Sequence, residues 1–116
     1  MLTFHNQIPL IQKTYDLYKN IYQYIKTFPK SDKYNLGNEL KIINIQIIEL
    51  LVEAETVKKD WKSPLLEKTS VKVNILKILI RLANDIKILD QKKHLLLQEQ
   101  LQEIGRMLGG WIKSLK

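Results

Sequence analysis

Cysteine is absent from all 116 residues, which excludes a disulfide framework and a thiolate zinc site and fits a reducing, cytoplasmic setting. Proline (three) and glycine (four) are scarce, so little in the chain interrupts regular structure. No apolar run exceeds three residues, as in Leu50-Leu51-Val52, so no segment is fit to span a membrane. The N-terminus lacks the basic-then-apolar order of a signal peptide. Histidine is limited to His5 and His94, and neither follows a glutamate by three residues, as a di-iron carboxylate bundle requires. A helical ribonuclease would want an Arg and a His a turn or two apart, and neither Arg81 nor Arg106 has such a companion. No strand pattern exists to carry a Gly-rich phosphate loop. The expectation is a protein with no catalytic residues, no metal and no cofactor.

What remains is a chain that is 45% hydrophobic, enough for a single domain over residues 1–116 with one sizeable core. Its net charge of +7 is unevenly spread: residues 1–33 carry +3, 34–60 carry −2, 61–89 carry +4 and 90–116 carry +2. That balance is either a lysine-rich solvated surface or an attraction to phosphate or an acidic partner.

Punctuation and periodicity divide the chain into four helical segments, about 9–28, 35–59, 65–89 and 91–115. Pro9 suits a first helical position, and Phe28-Pro29 ends the first segment because a residue before proline avoids the helical region. Asp32 or Asn35 caps the second segment and Asp90 the fourth. Lys58 and Lys59 oppose the negative pole of the second. Asp60-Trp61-Lys62-Ser63-Pro64 breaks the pattern before the third. Short links make successive helices antiparallel neighbours, so the predicted fold is all-α, an antiparallel up-down four-helix bundle.

Three segments carry a second apolar stripe beside the first. The first segment has Leu17, Ile21, Tyr24, Phe28 and also Ile11, Tyr15, Tyr18, Tyr22, Ile25, with a core role expected for most of the tyrosines. The second has Leu36, Leu40, Ile43, Ile47, Leu50, Ala54, Val57 and also Ile42, Ile45, Ile48, Val52. The third has Ile75, Leu79, Leu82, Ile86, Leu89 and also Val73, Leu76, Ile80, Ala83. A soluble monomer rarely leaves so much apolar surface in water, so a homo-oligomer is expected. The fourth segment keeps one heptad-like stripe, Leu97, Leu101, Ile104, Leu108, Trp111, Leu115. Gly105 and Gly109 lie one turn apart beside it. Glycine costs about 1 kcal/mol against alanine inside a helix, so the pair predicts close approach of a neighbouring backbone, with Trp111 packing alongside.

Seven cations are candidates for binding an anionic partner. Lys77 and Arg81 sit at i and i+4 within the most apolar stretch, with Asp85 the one acid suitably spaced to neutralise them inside the helix. Lys68 and Lys72 form a second such pair. Lys19 and Lys26 lie two turns apart among tyrosines that also suit base stacking, and Arg106 lies between the glycines. Glu49 and Glu53, one turn apart, read as solvated partners of lysines such as Lys41 or Lys58.

The stretch Glu103-Ile104-Gly105-Arg106-Met107-Leu108-Gly109-Gly110-Trp111-Ile112 resembles the glycine-Arg-glycine-Trp signature of the Avd family, the accessory variability determinants of diversity-generating retroelements. Thr27-Phe28-Pro29-Lys30 and the apolar third segment bearing Lys77 and Arg81 are similar too, and the resemblance runs over nearly the whole chain. The sister group, the ribosomal-RNA intervening-sequence proteins, shows a proline and an Asn-Ile-Ala-Glu-Gly-like run in its second helix. Residues 45–54 here contain no proline, which favours Avd. The resemblance implies a non-enzymatic basic bundle that assembles as a pentameric barrel. Its implied partners are a reverse transcriptase and structured template RNA (possibly DNA), in support of mutagenic cDNA synthesis. Lysine stands at 77 where family members often have arginine, which gives up bidentate phosphate geometry. The competing reading is a generic helical protein–protein adaptor whose positive charge is incidental.

Overall fold

The computed structural model describes residues 8–116, so His5 lies outside the described residues. Every regular element among them is helical: α1 (Ile8–Ile25), a single turn α2 (Lys30–Lys33), α3 (Leu36–Thr56), α4 (Lys59–Asp85) and α5 (Gln91–Ser114). The four long helices form an antiparallel bundle in which α1 touches α3 and α5, and α4 touches α3 and α5. The cyclic order α1, α3, α4, α5 gives the molecule four sides, each made by one adjacent pair.

Several helix ends differ from expectation, each for a local reason. Residues 26–28 close α1 with turn bonds such as Phe28 N–H to the Ile25 carbonyl (2.9 Å), so the helix stops before Phe28. Asn35 precedes α3 but makes no side-chain cap, because its amide donates to the Ser31 carbonyl (2.8 Å). Lys58 and Lys59 do not cap α3. They open α4, and Lys62 reaches back instead, donating to the carbonyls of Ala54 (2.6 Å) and Glu55 (3.2 Å). The expected break at residues 60–64 is absent, with Pro64 inside α4 near its start. Proline there loses one backbone bond, to the carbonyl four residues back at exposed Asp60, a site where water can replace it.

α4 ends at Asp85 rather than at Leu89. Lys87 adopts a left-handed conformation (φ 66°), letting its N–H reach the Asn84 carbonyl (3.0 Å) and the Ile88 N–H reach the Ala83 carbonyl (3.0 Å). This pairing is a Schellman closure, usually built on glycine. The Asp90 side chain then caps α5 by accepting from the Lys93 N–H (2.8 Å).

The core is drawn from one stripe per helix: Leu10, Leu17, Ile21 and Ile25 on α1; Leu40, Ile43, Ile47 and Leu51 on α3; Val73, Leu76, Ile80 and Ala83 on α4; Leu97, Leu101, Ile104, Leu108 and Trp111 on α5. Phe28 and Leu89 plug the ends from the turns. Polar Thr14, Asn44 and Thr69 are also fully buried. Asn44 donates to the Thr14 carbonyl (3.0 Å), tying α3 to α1 inside the core.

On each helix with two stripes, one is left largely outside; on the third segment it is the first-named stripe that turns outward and Val73, Leu76, Ile80 and Ala83 that form the core. On α4, Val71, Ile75, Ile78 and Leu82 are exposed, as is Ile86 just past its end, with Ile78 at 64%. On α3, Ile42 and Ile45 are exposed. The core role expected for most tyrosines fails for Tyr15 and Tyr22, which stand 55% and 46% exposed, while Tyr24 packs against the core. Both tyrosines lie well around α1 from Leu17 and Ile21, and periodicity alone cannot say which flank of a broad face is sealed.

Candidate nucleic-acid interface

The predicted cations fall on three different sides of the bundle. Lys77 and Arg81 share the α4–α5 side. There Gln98 of α5 donates to the Lys77 carbonyl (3.1 Å), and the Lys77 ammonium lies over Gly105. Half-buried Lys77 thus keeps its charge at the helix junction, while exposed Arg81 stands 4.0 Å from Asp85 as a surface ion pair. Such a pair contributes well under about 1 kcal/mol and leaves the guanidinium free to exchange partners. No acid lies within ion-pairing distance of Lys77 among the described residues.

Arg106 is exposed on α5 and engaged. Its Nε donates to Glu103 Oε2 (3.1 Å), and a second guanidinium nitrogen meets the other carboxylate oxygen of Glu103. That hydrogen bonding holds the Glu103 carboxyl below its ordinary value. The fork is therefore already filled by a neighbour one turn away.

Lys68 and Lys72 face α3 instead. Lys72 donates to Gln46 (2.9 Å), and both lysines line a groove with Glu49 and Glu53. The two glutamates are thus neighbours of Lys68 and Lys72 rather than of Lys41 or Lys58. Carboxylates of opposite charge in the same groove make this side a poor attractor of phosphate.

Lys19 and Lys26 form the third group, on α1. Lys19 sits over the Tyr15 ring (5.3 Å to its centroid) and Lys26 over the Tyr22 ring (4.9 Å). Tyr18 and Tyr22 stack, with centroids 6.4 Å apart and planes 22° from parallel. Antiparallel α3 brings Asn38 and Lys41 beside Tyr22, and α2 adds Lys33, so a concavity of about 180 Å³ opens there without a carboxylate in its lining. Lys33, Tyr34 and Lys41 were not foreseen as site residues. Their signal was the helix pairing itself, because an antiparallel register that sets Asn44 beside Thr14 also sets Lys41 near Tyr18.

The close approach expected at Gly105 and Gly109 does not occur within the bundle. A methyl group at Gly109 would meet nothing within 4 Å, and at Gly105 it would meet only the end of Lys77 at 3.7 Å. Trp111, beside them in sequence, is buried in the core. The tightly packed glycine is Gly37 at the start of α3, where an added methyl would stand 2.9 Å from Ile25 Cγ2.

Among the described residues no group of three His, Asp or Glu side chains is placed to hold a metal ion, and no helix is long and apolar enough to cross a membrane. No curated protein matches the chain. Comparison with protein families matches residues 9–115 to one described as bAvd-like. That span takes in all of α3, α4 and α5 and, in α1, everything beyond its first residue, so the match covers the bundle as a whole. A four-helix bundle with cationic sides, matched from the start of α1 to the end of α5, belongs to the bAvd-like family.

Proposed function

We propose that the protein is the accessory subunit of a diversity-generating retroelement, a non-enzymatic oligomer that binds the reverse transcriptase and structured template RNA in support of mutagenic cDNA synthesis. The family match over residues 9–115 is the observation that carries this reading. The net charge of +7 supports it, because phosphate neutralisation dominates nucleic-acid affinity. In this reading Lys77 and Arg81, which share the α4–α5 side, meet a polymerase surface or RNA phosphates.

Self-association is supported by the outer ridge of α4. Val71, Ile75, Ile78 and Leu82 on α4, Ile86 just past its end and Ile42 on α3 are all exposed apolar residues. Closing a ring of five requires a second, different patch on each subunit. Leu95 and Leu96, both exposed at the start of α5, supply apolar surface away from the α3–α4 side.

The test compares folded wild-type protein with a Lys77→Glu/Arg81→Glu variant for binding to the cognate reverse transcriptase and to template RNA, separately. Binding to at least one should fall, and an RNA loss should vanish at high salt. Unchanged binding to both removes this pair from the interface. Failure of the wild-type protein to bind either partner refutes the reading as a whole.

A further inference from the structure

We propose that the tyrosine–lysine face of α1 is a platform for unpaired RNA bases, distinct from the Lys77–Arg81 surface; the inference rests on the RNA-binding reading above and specifies the form of RNA that this face takes. Four observations converge on it. Tyr15 and Tyr22 are about half exposed although their rings are large and apolar, so the bundle core does not explain them. Tyr18 and Tyr22 lie near-parallel one turn apart, so the rings follow one another along the helix. An ammonium sits over each exposed ring, Lys19 on Tyr15 and Lys26 on Tyr22. The adjoining concavity between α1, α2 and α3 contains three lysines (Lys26, Lys33, Lys41) and no carboxylate to neutralise them.

Aromatic rings at half exposure flanked by cations match single-stranded nucleic acid in both of its parts. Each base offers a π-face to a tyrosine without regard to sequence, and each phosphate finds a lysine. A second, mainly apolar concavity lined by Tyr18, Lys19, Tyr22 and Gln23 shares Tyr22 with the cationic one. A strand crossing from one to the other would lay bases along the rings and pass its phosphates over Lys26, Lys33 and Lys41. Duplex RNA fits the face badly, because its bases are stacked on one another and unavailable to the rings. An acidic protein would satisfy the lysines but would leave the ring faces without a matching planar partner.

The experiment measures fluorescence anisotropy of a labelled oligouridine strand and of a labelled RNA duplex of equal length. Wild-type, Tyr15→Ala/Tyr22→Ala, Tyr15→Phe/Tyr22→Phe and Lys19→Ala/Lys26→Ala proteins are compared, each checked for helicity and oligomer mass. The alanine pair of tyrosine variants should weaken single-strand binding by roughly fivefold or more per ring lost, with duplex binding and mass unchanged. The phenylalanine pair should bind as wild-type, since the ring stacks and the hydroxyl does not. Losing two lysines should flatten the single-strand salt dependence by about 1.4 in log–log slope. Single-strand affinity indifferent to Tyr→Ala overturns the inference, as does an equal loss for duplex. A fall in oligomer mass on Tyr→Ala overturns it too, assigning the rings to a subunit contact. If wild-type protein binds the duplex and template RNA but is blind to the tyrosines, this inference alone fails. If it binds no RNA at all, the reading beneath it fails as well.

Discussion

Replacing Gly37 by alanine should destabilise the bundle, against the usual benefit of alanine in a helix. A methyl there would stand 2.9 Å from Ile25 Cγ2 and 3.4 Å from the Asp32 carbonyl oxygen. The obstructing atom is the β-branch of a buried isoleucine, fixed by a stiff χ1 rather than carried on a flexible tip. Overpacking of this kind costs about 1–3 kcal/mol. The propensity gain opposing it is below about 1 kcal/mol, because Gly37 lies in the first turn of α3. The net loss should be about 1–2 kcal/mol, read as a lower urea midpoint at unchanged m-value and fixed protein concentration. Ile25→Leu removes the β-branch at a cost below about 1.5 kcal/mol alone. Combined with Gly37→Ala it should lose less than the sum of the two, with a coupling near 1 kcal/mol. Additive effects, or a neutral Gly37→Ala, would refute the contact as the reason for glycine.

Exposed Gly109 of α5 should behave in the opposite way: Gly109→Ala meets nothing and should stabilise by up to about 1 kcal/mol in the same assay, and a loss of oligomer mass would instead place Gly109 at a subunit contact. Lys87→Gly should stabilise by about 0.5–1 kcal/mol, since a side chain in the left-handed region at φ 66° is strained where glycine is not; a lower thermal midpoint would argue that the lysine chain itself packs. Ile78→Asp with Leu82→Asp should leave helicity intact and bring the mass seen by light scattering toward 13.7 kDa, whereas an unchanged multimer would move the subunit contact off α4.

Helix number and most core positions were legible because they are local matters. A single clear stripe reads as core on α5, and Asp90 reads as a cap because its short carboxylate reaches the Lys93 N–H three residues on. Which face of α4 turns inward was not legible. Val73-Leu76-Ile80-Ala83 and Ile75-Leu82-Ile86 have equivalent helical spacing, and only the neighbours decide between them. Pro64 and Lys87 misled for a related reason, since tolerance of a proline near a helix start and of a left-handed lysine depends on what surrounds them. For the candidate site, Lys19, Lys26 and their tyrosines were visible as a pattern along one helix. The contribution of Lys33 and Lys41, and the carboxylates beside Lys68 and Lys72, depend on which helix lies next to which. Gly37 carried no signal because its constraint is the shape of Ile25, twelve positions earlier in the chain.

The ambiguity of α4 has a consequence for how the chain finds its native state. With two greasy faces, the helix has two near-equal ways of rolling onto α3, and apolar burial alone would leave the landscape with competing basins. The polar contacts break that symmetry. With Leu76 and Ile80 turned inward, the Lys62 ammonium reaches the Ala54 and Glu55 carbonyls and Lys72 reaches Gln46. Rolling α4 so that Ile75 and Leu82 faced the core would carry both lysines away from these partners. These two lysines favour the observed roll of the α3–α4 hairpin, with Leu76 and Ile80 interior and Ile75 and Leu82 outside.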